Sequence, residues 1–169
     1  PPSIGSLPKP AVGEYAAFES GPVRPMALSS DGRRLYVANT PDNRIEIFDV
    51  SGATPVPLES IPVGLEPVAV SLLNDRQLWV VNHLSDNISV VDLAGGRVLR
   101  TIDTGDEPAD VVFAGTPQRA YVSVSQLNQV RVFDPADPAA AAQVVGLQGE
   151  EPRALAVSPD GATVWVGFF

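Results

Sequence analysis

Four aromatic residues, Tyr36, Trp79, Tyr121 and Trp165, stand 43, 42 and 44 residues apart, each inside a short apolar string. The text around them repeats as well. Counted from the aromatic anchor, Asn39, Asn82 and Val124 coincide, then Asn43, Asp86 and Asn128, then Asp49, Asp92 and Asp134. Between units the pattern G-x-E-P recurs at 64–67, 105–108 and 149–152, with a looser form at 21–25. A chain that repeats itself at this spacing must fold as a series of equal units, each too small to bury its own apolar faces. Several short strands per unit at a period of about 40 to 45 residues are the signature of β-propeller blades.

The repeat divides the chain into a lead-in at 1–20, three units at 21–63, 64–104 and 105–148, and an incomplete fourth at 149–169. The lead-in holds one expected strand at 14–19 (EYAAFE). Unit two shows the plan, with strands expected at 68–71, 78–81, 88–93 and 97–104. Strings such as LWVV and ISVV are apolar at nearly every position, which suits a sheet covered on both faces. The turns at 29–32 (SSDG) and 158–161 (SPDG) pair a Gly able to take positive φ with Ser and Asp that bond the local backbone. Asp49, Asp92 and Asp134 are expected to cap their turns in the same way. Pro57 and Pro62 confine the fourth strand of unit one to an edge. Asp137 and Pro138, followed by four Ala, read either as one helical turn or as a longer loop.

The fold class that follows is all-β: four-stranded antiparallel blades, about three and a half of them. The fifteen expected strands do not make whole blades. The strand at 14–19 takes the place of a fourth strand. The expectation is therefore a longer chain with roughly three more blades, supplied by the same or another polypeptide.

YVAN at 36–39, WVVN at 79–82 and SPDG at 158–161 resemble the repeats of the YVTN β-propeller family. The resemblance covers residues 21–169, and unit three departs from it with YVSV. It implies a ring of about seven blades. Rings of this kind include surface-layer proteins, lactonase-like enzymes, nitrite reductase haem domains and quinoprotein amine dehydrogenase subunits. The resemblance thus specifies the blade and leaves the activity open.

Composition narrows the function classes. Eleven Lys plus Arg against 20 Asp plus Glu leave a net charge of −9, which opposes binding to nucleic acid or anionic lipid. No apolar run is long enough to span a membrane. The chain has no Cys, so thiolate metal sites are excluded and an oxidising compartment, periplasmic or extracellular, is compatible.

The candidate site is the channel-mouth face, where Glu66, Glu107 and Glu151 of the G-x-E-P crossings would gather with Asn82, His83 and Asp86. A ring of carboxylates could bind calcium or work as an acid/base pair. The alternative, which we prefer, is that each Glu serves the repeat. His83 is the one His and stands where other units have Thr40, Ser125 and Phe169. Without a second ligand near it in sequence, it is a slight metal signal. Asn87, Ile88 and Ser89 match a glycosylation sequon at a position the repeat dictates. No nucleotide, zinc-protease or serine-nucleophile motif is present. Apart from calcium, no cofactor is expected within this stretch. The reading is a non-catalytic binding or scaffold module of an exported bacterial protein, with a protein or small-molecule partner on a propeller face. The alternative is a segment of a propeller enzyme, a lactonase-like hydrolase or a cofactor-dependent oxidoreductase, or of an electron-transfer subunit, with its active groups elsewhere.

Overall fold

The computed structural model describes residues 21–168, so the strand expected at 14–19 lies outside the described residues. The first sheet is a meander of β1 (Met26–Leu28), β2 (Arg34–Asn39), β3 (Arg44–Asp49) and β4 (Val56–Pro62). The second repeats it with β5 (Pro67–Asn74), β6 (Gln77–Asn82), β7 (Asn87–Asp92) and β8 (Arg97–Asp103). The third holds β9 (Pro108–Ala114), β10 (Arg119–Val124), β11 (Gln129–Phe133) and β12 (Gln143–Gly146). β13 (Pro152–Val157) and β14 (Val164–Phe168) pair as the start of a fourth. Every pairing within the sheets is antiparallel, as short turns between consecutive strands require.

Local chemistry explains the boundaries. Pro67, Pro108 and Pro152 each open an inner strand, where a missing N–H breaks no ladder. Pro57 and Pro62 lie on outer strand β4, which pairs on one side with β3. Asp49 accepts the Ser51 N–H, Asp92 the Ala94 N–H and Asp134 the Ala136 N–H, so all three outer turns are closed by their own Asp. The Ala-rich stretch is a loop rather than a helix. Two successive turns, Asp137 N–H to Asp134 O and Ala140 N–H to Asp137 O, carry the chain to β12.

The sheets stack face to face as propeller blades. Alternate residues of a strand point to opposite faces, so each blade feeds two cores. Leu78 and Val80 of β6 join Tyr36, Ile45, Ile47 and Ile61 of blade one. Trp79 and Val81 of the same strand join Val111, Ala120, Val122 and Phe133 of blade three. A third cluster joins Val112 and Val130 of blade three to Leu155 of blade four, with Tyr121 against it. Each aromatic anchor with a described following blade therefore faces that blade. Trp79 meets Phe113 edge to face at 5.4 Å, a geometry favoured by the ring quadrupoles.

Candidate functional site

The loops after each second strand meet the crossings between blades, and one bonding scheme recurs at all three junctions. Asn43 Oδ1 accepts the Glu66 N–H at 2.8 Å, Asp86 Oδ1 the Glu107 N–H at 3.0 Å, and Asn128 Oδ1 the Glu151 N–H at 2.9 Å. All six residues hold left-handed backbones, with φ between 49° and 57°. That region is costly for residues with a Cβ, and Asn and Asp enter it most readily. Repetition at every junction ties this strain to joining blades rather than to one catalytic point.

A second bond crosses each junction. Thr40 Oγ1 donates to the Pro67 carbonyl at 2.7 Å and Ser125 Oγ to the Pro152 carbonyl at 3.1 Å. His83 does the same through Nδ1, 2.9 Å from the Pro108 carbonyl. A carbonyl only accepts, so Nδ1 carries the proton in this bond. His83 departs from the repeat in residue type while keeping its latch. Its other nitrogen, Nε2, lies 3.7 Å from Glu107 Oε2. Gln126 Nε2 donates to that same carboxylate oxygen at 3.1 Å.

The structure places the six candidate residues unevenly. His83 and Glu107 bring their side chains together at the junction of blades two and three, where the Asp86 side chain bonds the Glu107 backbone N–H. Asn82 is fully buried at the end of β6, donating to Asn87 Oδ1 and Ser89 Oγ, and its amide lies against Gly64 where a Cβ would not fit. Glu66 and Glu151 belong to the two flanking junctions. Among the described residues, no three His, Asp or Glu side chains are grouped so as to hold a metal ion. The sequon residue Asn87 is committed to Asn82 and to the Ser85 carbonyl.

A second cluster was missed in the sequence. Arg24, just before β1, makes a two-pronged ion pair with Asp110 of β9, Nε to Oδ1 and Nη2 to Oδ2, both at 3.0 Å. Asp110 is fully buried and also accepts the N–H groups of Val111 and Leu155 at 2.9 Å. Arg24 Nη2 donates onward to the Leu155 carbonyl at 2.7 Å. The Asp110 bond holds the Arg24 guanidinium above its ordinary pKa. Ser123 Oγ bonds the Arg153 carbonyl, and Arg153 Nη2 the Gly21 carbonyl. Blades one, three and four are thereby tied together beside a recess of about 450 Å³ lined by Gly21, Pro22, Val23, Arg153, Ala154, Gly167 and Phe168. The available signal was an Asp inside the otherwise apolar string 109–113. Its partner stands 86 residues away, beyond any local pattern.

No protein-family model matches the chain. It is 31% identical over 80 residues to protein NirF of Pseudomonas aeruginosa, covering 46% of this chain and 20% of that one. It is 30% identical over 146 residues to the uncharacterized protein YncE of Salmonella typhimurium, covering 83% of this chain and 40% of that one. The fold is similar to hydrazine synthase of Kuenenia stuttgartiensis, with a TM-score of 0.77 and 25% identity over 94% of this chain and 45% of that one. It is also similar to a 6-phosphogluconolactonase candidate from Bacteroides uniformis, with a TM-score of 0.71 and 20% identity over 90% of this chain and 51% of that one. The chain thus spans 20% and 40% of the curated relatives it matches and about half of the structural ones. Sheet order, stacking and these likenesses agree that the chain folds as β-propeller blades.

Proposed function

We propose that this chain is a non-catalytic binding or scaffold part of an exported bacterial β-propeller, built from YVTN-type repeats on the way to a ring of about seven blades. The observation that carries this reading is the use made of the polar groups at the blade junctions. Thr40, His83 and Ser125 latch blade to blade, and Asn43, Asp86 and Asn128 hold the crossing backbones. A group committed to backbone in every repeat serves the repeat. The partner is a protein or small molecule on a propeller face, alongside further blades from the same or another chain. The net charge of −9 disfavours nucleic acid. Among the described residues, no helix is long and apolar enough to cross a membrane. A cysteine-free chain suits the periplasm or the cell exterior.

A second reading, a segment of an enzyme, is favoured by the names of two structural neighbours, a hydrazine synthase and a 6-phosphogluconolactonase candidate. Turnover by the full-length protein that carries these blades separates the two. We expect none with lactones or with artificial electron acceptors. Reproducible turnover would move the assignment to the second reading.

A further inference from the structure

The latch at the junction of blades two and three is chemically richer than its two counterparts. Thr40 and Ser125 make the same bond with a hydroxyl and carry no ring nitrogen. His83 brings a second nitrogen. With Nδ1–H fixed on the Pro108 carbonyl, Nε2 carries a lone pair whenever the ring is neutral, and it lies 3.7 Å from Glu107 Oε2. The ring is buried and held in place, and Gln126 steadies the carboxylate.

At 3.7 Å the two atoms are beyond hydrogen-bond distance, and they form an ion pair only when the ring is protonated. The span suits a metal ion. Bonds of about 2.0–2.1 Å to imidazole and about 2.0–2.2 Å to carboxylate set the two ligand atoms about 3.4 Å apart at a tetrahedral angle, and about 3.6 Å at 120°. An imidazole whose other ring N–H is bound to a carbonyl is the arrangement by which proteins orient metal-binding histidines. Glu107 is partly exposed, so solvent can complete the coordination.

We propose that His83 Nε2 and Glu107 Oε2 form a two-ligand site for a divalent ion that accepts imidazole, such as Zn²⁺, clamping blade two to blade three. Imidazole selects zinc, copper or nickel over calcium and magnesium, which take oxygen ligands. The clamp needs no catalytic role and stands whichever functional reading holds.

The repeat itself supplies the control variant. His83→Thr places at this junction the hydroxyl that forms the latch in blade one and removes the imidazole. Because the chain has one His, the imidazole signals in a proton–carbon NMR spectrum belong to His83 without assignment. Zinc chloride titrated to about 1 mM should move them saturably and raise Tm, as ligand binding to the folded state does. Calcium chloride at the same concentration should do neither. Glu107→Gln should weaken zinc binding about tenfold or more, and His83→Thr should abolish the Tm rise. Imidazole signals that stay still in zinc, or a zinc response undiminished in Glu107→Gln, would overturn the proposal. The first readout uses the unaltered protein, so it stands even if a variant fails to fold.

Discussion

Trp79 and Trp165 occupy the same position in the same strand of the second and fourth repeats, and their surroundings are opposite. Trp79 is 0% exposed and Trp165 is 54% exposed. Trp79 has blade three over it, with Phe113 against its ring. The other flank mirrors this. Met26 of β1 is 56% exposed, while Val70, paired at the matching register of β5, is 0% exposed. Blade two is apolar on both faces because both are covered. Blades one and four carry the same kind of residues with one face covered. The repeat encodes an apolar residue, and a neighbouring blade converts it into core.

The largest effect should come from the anchors. Trp79→Ala should cost about 3–5 kcal/mol, the range for truncating a buried aromatic. Trp165→Ala should cost about 1 kcal/mol or less, since a half-exposed side chain loses little packing. Denaturant unfolding of the two variants measures the pair. Equal losses would break the comparison.

The next effect concerns how blade four is fastened. Asp110→Asn removes the charge that holds Arg24 and weakens the bond to the Leu155 N–H. The expected loss is about 1.5–3 kcal/mol, the range for hydrogen bonds to charged groups. It stays below the figure for a fully buried ion pair because the Arg24 side chain is 39% exposed. Amide exchange should speed up in β13 and β14 and stay unchanged in β6 and β7. Equal acceleration in both would show that the end hairpin does not open separately.

The smallest effect is on the turns. Asp31 and Asp160 sit in matching turns of blades one and four. Each is held below its ordinary value of 3.8, first by the hydroxyl of Ser29 or Ser158 and then by the N–H of Arg33 or Ala162. A carboxyl depressed in the folded state stabilises it fully above 3.8, and that contribution is lost as pH falls through the folded value. Blade two closes the matching turn with Asn74, a neutral amide that accepts the N–H groups of Arg76 and Gln77. On acidification below 3.8, amide signals of Arg33 and Ala162 should shift before that of Val80, in the middle of β6. Asp31→Asn should remove the response at Arg33 alone. Simultaneous movement at all three positions would mean that acid acts on the blades as a whole.

What was legible in the sequence was what is decided locally. Strand positions follow from apolar strings bounded by Gly, Asp and Ser turns, and the inner strands start at the Pro of G-x-E-P. The caps by Asp49, Asp92 and Asp134 could be read because an Asx turn closes within two residues. The ambiguous Ala-rich stretch is the counterexample. Ala favours helix weakly per residue, and so short a run cannot meet the cost of nucleation, so two turns prevail.

The sequence by itself determined the period, the meander of each blade and the recurrence of Asn43, Asp86 and Asn128, because these rest on neighbours a few residues away. Tertiary structure alone decided which anchor becomes core, since burial depends on the next blade being there. It also decided that His83 is a latch with a nitrogen to spare, because its partners Pro108 and Glu107 arrive from the following repeat. Most of all it decided the pairing of Arg24 with Asp110. Two charges 86 residues apart have no shared pattern in the chain, and only the curvature of stacked, twisted sheets brings them within 3.0 Å.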